Sequence, residues 1–167
     1  VIDILLCQLD QLPLDAQCDQ YFQLLSTLLT TIELPESQTQ SSSYWKNILS
    51  GLQKRIISHP GSELNVSSPK DSLMIGYMNL MARLLVMISS KSSDSPGKTE
   101  FSDAMVFGCV FNKSGKSPKC KTKSSRIACY NLLRQIMFSK SDAVGKLTTD
   151  MLSVVSSVQP LTGWNYR

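Results

Sequence analysis

The most informative segment of the sequence runs from Ser68 to Ile88 and reads SPKDSLMIGYMNLMARLLVMI. A serine followed by a proline is a typical helix start, because the serine caps backbone N–H groups and proline needs no hydrogen bond in the first turn. Apolar side chains then recur in helical steps of three or four, at Met74, Tyr77, Met81, Leu84 and Ile88. Other sides of the same cylinder carry Leu73, Leu80, Leu85 and Met87. We therefore predict a helix with neighbours on at least two flanks, at the centre of the core.

The segments on either side of this helix show the same period. They predict further helices over about 15–33, 42–59, 123–138 and 141–158. Pro60 and Gly61 end the second of these, because proline cannot continue a helix. Residues 101–111 combine strand-like residues such as Val106 and Phe107 with a helix-start pattern at Asp103. We favour a short helix for that segment.

Helices joined by loops, with almost no alternating strand pattern, predict an all-α fold. We expect about six or seven helices, stacked as antiparallel pairs in an armadillo-like or HEAT-like layer. No repeat of fixed period is visible, so a closed helical bundle stays open as the alternative. We expect residues 1–158 to form one helical module and residues 159–167 to be a linker toward a following domain. Because the sequence opens on Val1 rather than methionine, we expect it to be a piece of a longer protein.

Composition favours a folded protein that does not cross a membrane. Hydrophobic residues make up 42% and charged residues 18% of the 167 positions. The most apolar window, 73–88, contains Gly76, Asn79 and Arg83 and is short for a membrane span. The five cysteines include no CxxC pair, so we predict reduced, buried thiols and neither disulfides nor a metal site. Reduced thiols favour a cytoplasmic location, with the nucleus as the alternative.

Catalytic signatures are missing from the sequence, which has no glycine-rich phosphate loop, GxSxG turn or HExxH pair. A serine or cysteine nucleophile needs a base, and His59 is the only histidine. It precedes Pro60 at a predicted helix end, where its side chain suits the terminal carbonyls. The 13 acidic residues are dispersed. We predict no catalytic residue and no cofactor.

The segment 113–126 carries the highest local charge, six cations and no acid: Lys113, Lys116, Lys119, Lys121, Lys123 and Arg126. These residues are the candidate partner-binding residues, and we call residues 113–126 the basic segment. Such a density of cations can contact phosphates or an acidic protein surface. The segment lacks the aromatic residues of a nucleic-acid stacking platform, which disfavours nucleic acid as the partner.

The C-terminal third resembles a known family. Residues 120–126 read CKTKSSR and lead into a predicted helix with Ala128, Leu132 and Leu133, and residues 163–167 read GWNYR. These features resemble the region just upstream of the catalytic domain in large fat-facets-type ubiquitin-specific peptidases, over roughly the last fifty residues.

That resemblance implies a cysteine-type deubiquitinase as the parent protein. In the family, a helical array precedes a papain-like peptidase domain whose nucleophile lies in a Gly-x-Thr-Cys box, and none of the five cysteines here follows Gly-x-Thr. The implied role is therefore a non-catalytic scaffold that positions a ubiquitinated substrate, ubiquitin or the adjacent catalytic domain. Two other readings stay open. One is an independent adaptor that binds an acidic protein or nucleic acid through the basic segment, and the other is an unrecognised enzyme that uses His59 or a cysteine.

Overall fold

The computed structural model describes residues 2–11, 18–31, 38–59, 69–91, 103–112, 115, 118–138, 149–153 and 155. Within these ranges the chain forms α1 (Ile2–Gln11), α2 (Cys18–Thr31), α3 (Gln38–Ser58), α4 (Pro69–Lys91), α5 (Asp103–Val110) and α6 (Lys123–Phe138). Residues 149–153 and 155 are also helical. The described residues contain no strand beyond one isolated antiparallel bridge, between Phe111 and Pro118. The predicted all-α fold is confirmed.

The helix α4 is the centre of the core, as its sequence predicts. It packs against α2, α3 and α6. Because it has neighbours on several sides, its buried side chains cover a wide arc of the cylinder, while Asn79, Arg83 and Val86 lie exposed on the remaining side. The buried side chains include Met74, Tyr77, Met78, Leu80, Met81, Leu84 and Leu85. Burying one such side chain contributes about 1.5 to 3 kcal/mol, so this helix supplies a large share of the stability.

The contact between α2 and α4 depends on a glycine. The ring of Phe22 lies so close to Gly76 that an added Cβ would be 2.2 Å from its Cε2 atom. The same ring meets Tyr77 edge to face, with 5.4 Å between ring centroids and 88° between ring planes. The absence of a side chain at Gly76 therefore lets an aromatic ring lie directly on the backbone of α4.

The remaining contacts are consistent with a stack of helix pairs. The helix α1 packs against α2, α3 packs against α4 and α5, and α5 packs against α6. Each predicted helix has a counterpart, and the ambiguous segment 101–111 contains the short helix α5. The helix α3 begins at Gln38, earlier than the predicted position 42. The predicted linker, residues 159–167, lies outside the described residues.

The last predicted helix, 141–158, is described only in part. Met151 and Val155 lie four positions apart in the helical residues 149–153 and 155 and are both buried. This spacing puts both side chains on one face of the helix. None of the described helices is long and apolar enough to span a bilayer.

Candidate partner-binding segment

The basic segment connects α5 to α6 through a tight reversal of the chain. The backbone N–H of Gly115 donates to the carbonyl of Asn112 at 2.8 Å, and Gly115 has a positive φ of 66°. Glycine adopts that conformation without steric strain. The chain then returns alongside the end of α5, where the N–H of Lys119 donates to the carbonyl of Val110 at 2.7 Å. The reversal sends the second half of the basic segment back into the protein.

Lys119 is buried, with 1% of its surface exposed. Its ammonium group donates to the carbonyls of Ile56 at 2.6 Å and Ile57 at 3.2 Å, in the last turn of α3. A third bond, of 2.7 Å, goes to the carbonyl of Gly108 in the last turn of α5. The last carbonyls of a helix lack partners within the helix and carry partial negative charge, so a cation is stabilised there. Lys119 therefore caps two helices at once from inside the protein.

Arg126, the last cation of the basic segment, is also buried, at 4% exposed. Its Nε atom donates to the carbonyl of Cys120 at 3.2 Å, which links the first turn of α6 to the chain just before it. Arg126 and Cys120 line a very small cavity of about 10 Å³, together with Val110, Pro118 and Val155. The Arg126 side chain is therefore part of the protein interior.

The start of α6 is fixed by a reciprocal pair of caps. The hydroxyl of Thr122 accepts the backbone N–H of Ser125 at 3.2 Å, and the hydroxyl of Ser125 accepts the backbone N–H of Thr122 at 3.2 Å. This is a capping box in which serine replaces the usual glutamate. The Thr122 hydroxyl also donates to the buried carboxylate of Asp71 in the first turn of α4, at 2.6 Å. The basic segment is thereby tied to the central helix.

Two described cations of the basic segment lie at the surface. Lys121 is partly exposed and Lys123, the first residue of α6, is exposed. Lys113 and Lys116 lie outside the described residues. The four described candidates therefore form two groups. Lys119 and Arg126 are buried and stabilise the fold, whereas Lys121 and Lys123 lie at the surface. Among the described candidates, a partner can reach the charges of Lys121 and Lys123.

Three thiols are buried where α5, the basic segment and α6 meet: Cys109, Cys120 and Cys129. The Sγ atoms of Cys120 and Cys129 lie 3.7 and 3.4 Å from the carbonyl oxygen of Cys109. Burial raises the pKa of the Cys109 thiol from 9.0 to about 12, with a smaller contribution from Cys120. A hydrogen bond with Cys120, followed by burial, raises the pKa of Cys129 well above its usual value. At neutral pH Cys109 and Cys129 are protonated and are poor nucleophiles.

The predicted burial of the thiols is confirmed for these three residues, whereas Cys7 is exposed. None of the described residues forms a group of three or more side chains suited to a metal ion. His59 is buried at the end of α3, and its backbone N–H donates to the carbonyl of Arg55 at 3.1 Å. It therefore continues the helical hydrogen bonding of α3 by one residue.

Sequence reasoning missed the interior roles of Lys119 and Arg126. For Arg126 a signal exists, because it begins a row of positions on α6 spaced by three or four that continues with Cys129, Leu133 and Ile136, all buried. For Lys119 no local signal exists, because its partners on α3 lie 62 and 63 residues away in the sequence.

Comparison with known proteins gives one similarity and two negative results. The chain is 27% identical over 128 residues to "Ubiquitin carboxyl-terminal hydrolase puf" of Drosophila melanogaster. The match covers 74% of this chain and 3% of puf, so the chain spans a small fraction of that relative's length. No protein-family model matches the chain, and neither does any solved structure. The similarity gives loose support to a relationship with the ubiquitin-specific peptidases.

Proposed function

We propose that this chain is a non-catalytic helical scaffold of a deubiquitinating enzyme. In this proposal residues 1–158 form the helical module, and residues 159–167 lead to a following catalytic domain. The module positions a ubiquitinated substrate, ubiquitin or the catalytic domain itself, in the cytoplasm or the nucleus. The proposed parent is a large fat-facets-type ubiquitin-specific peptidase, with the twenty-fourth member of that family as the specific assignment.

The observation that carries this proposal is the similarity to puf, which extends over 74% of the chain. It reaches well beyond the C-terminal fifty residues that carry the resemblance in the sequence. The chemistry of the thiols also supports a non-catalytic role. Burial keeps Cys109 protonated, and a hydrogen bond with Cys120 followed by burial does the same for Cys129. A peptidase nucleophile needs the opposite environment, one that lowers the pKa of the thiol.

The proposal is tested by deleting residues 1–158 from the full-length parent enzyme. Cleavage of a small fluorogenic ubiquitin substrate should be retained, because that reaction needs only the catalytic domain. Cleavage of a ubiquitinated protein substrate should fall, because the scaffold no longer positions it. If the deletion leaves the cleavage rate of each substrate unchanged, the proposal is contradicted. Hydrolysis of the fluorogenic substrate by the isolated 167-residue chain would contradict it as well.

A second candidate function is an adaptor that binds an acidic protein or nucleic acid through the basic segment. The exposure of Lys123 and the partial exposure of Lys121 favour it. The double variant Lys121→Gln/Lys123→Gln should then bind an acidic peptide or RNA more weakly, with a reduced salt dependence. The matched control is Lys46→Gln/Lys54→Gln, which removes two exposed cations from α3. Equal loss in both variants would indicate non-specific attraction.

A further inference from the structure

A groove between α2 and α4 is a surface feature that none of the roles above uses. Its volume is about 680 Å³, which is within the range of pockets that hold small molecules. Its floor is apolar and buried, formed by Phe22, Gly76 and Leu80. Its rim is polar and includes the exposed side chains of Gln23 and Asn79. An apolar floor with a few polar groups at the rim is the usual make-up of a binding site.

One cation lies on the rim of this groove. Arg83 is exposed, and its Nη1 atom donates to the hydroxyl of Ser26 across the groove. Ser26 is the one hydrogen-bonding partner that the described residues give to Arg83. The ten residues that line the groove include no acid. Because a guanidinium carries five N–H donors in a planar fork, Arg83 retains donors that suit a carboxylate.

We propose that the groove between α2 and α4 binds a short acidic peptide segment whose carboxylate side chain pairs with Arg83. The groove runs along α4 from Ser72 to Arg83, a rise of about 16 Å at 1.5 Å per residue. About five residues of extended peptide cover that distance. The amides of Gln23 and Asn79 can bond the peptide backbone, while an apolar side chain next to the acid lies over Phe22.

The charge of the groove selects a peptide over a nucleic acid. A phosphodiester strand carries one negative charge per nucleotide, and its affinity comes from several cations acting together. The groove offers a single guanidinium among uncharged side chains. One cation above an apolar floor matches one carboxylate with an apolar neighbour. The proposal names a partner class for the scaffold and in that respect rests on the proposed function, although it concerns a surface separate from the exposed lysines.

The test is a titration of the ¹⁵N-labelled 167-residue chain, followed by amide chemical shifts. The probe is the blocked peptide acetyl-Gly-Leu-Glu-Leu-Gly-amide, and the matched probe has Gln in place of Glu. A third peptide, acetyl-Gly-Leu-Leu-Gly with a free C-terminal carboxylate, separates a terminal acid from a side-chain acid. The variant is Arg83→Gln, with Arg134→Gln on α6 as the control, since both arginines are exposed on helices. Circular dichroism checks that each variant is folded.

The Glu peptide should shift the amides of Gly76, Asn79 and Arg83, and Arg83→Gln should weaken its binding at least about tenfold, through loss of a charge-assisted pair. The Arg134→Gln control should bind as the unmodified chain does. Equal affinity for the Gln peptide, or stronger binding of the C-terminal carboxylate, would overturn the proposal. Shifts confined to Lys121 and Lys123, or tighter binding of an oligonucleotide in the groove, would overturn it too. The wild-type shift map decides the matter even if the variant fails to fold. Failure here leaves the scaffold proposal standing, because that proposal is tested by substrate cleavage in the full-length enzyme.

Discussion

Replacing Lys119 by methionine should lower the free energy of unfolding by about 2 to 4 kcal/mol. The ammonium group makes three hydrogen bonds, of 2.6, 2.7 and 3.2 Å, to carbonyls at the ends of α3 and α5. Hydrogen bonds to a charged group contribute about 1.5 to 3 kcal/mol each. The loss of solvation on burying the ammonium offsets several kcal/mol of that gain. Methionine fills a similar volume, so the net loss comes from the carbonyls left without their donor.

Urea unfolding followed by circular dichroism at 222 nm measures this change. The matched control is Lys123→Met, in the same segment but exposed, which should stay within about 0.5 kcal/mol of the unmodified chain. In a chain of this size, a loss of 2 to 4 kcal/mol corresponds to a fall in Tm of roughly 4 to 16 °C. A Lys119→Met variant that unfolds within about 0.5 kcal/mol of the unmodified chain would refute the capping role of the ammonium.

Three further predictions concern the core. Gly76→Ala should destabilise the chain by about 2 kcal/mol or more in thermal melts, because the new methyl overlaps the ring of Phe22. The control is Gly51→Ala, whose methyl meets only the flexible end of the Arg55 side chain. It should stabilise the chain by about 0.5 to 1 kcal/mol. Leu80→Asp should abolish folding, because it buries a carboxylate in the core. An unchanged circular dichroism spectrum would disprove this. The control Val86→Asp, at an exposed position of the same helix, should remain folded. The Cys109 thiol has a pKa of about 12 in the folded chain and 9.0 as its usual value. The folded state thus holds its proton more tightly, and the free energy of unfolding should fall as pH rises from about 9 toward 12, less steeply in a Cys109→Ala variant.

The helical architecture was accessible from the sequence because it depends on local patterns. The period of apolar residues in α4 predicts both its helical form and its neighbours on several sides. The short helix α5 has the least distinctive sequence, because Val106 and Phe107 favour strands. The helix-start pattern at Asp103 indicates a helix, and the structure confirms one there.

The burial of Lys119 is not accessible in the same way. A row of lysines predicts a solvated surface, since an ammonium is rarely buried without partners. The partners of Lys119 are main-chain carbonyls, so no side chain in the sequence indicates where they lie. The contact of Phe22 with Gly76 is equally hidden, because it depends on how two helices approach each other. Distances between elements of the fold, rather than patterns within one element, decide both features.

The buried ammonium of Lys119 also bears on local opening of the protein. It joins residues that are 63 positions apart, at the end of α3 and just before α6. If one helix end moved away alone, the ammonium of Lys119 would lose carbonyl partners while it was still in a partly dry environment. We therefore expect the ends of α3 and α5 to behave as one cooperative unit in native-state hydrogen exchange, with a shared opening free energy for their amides. We expect α1, which packs against α2, to open at a lower free energy.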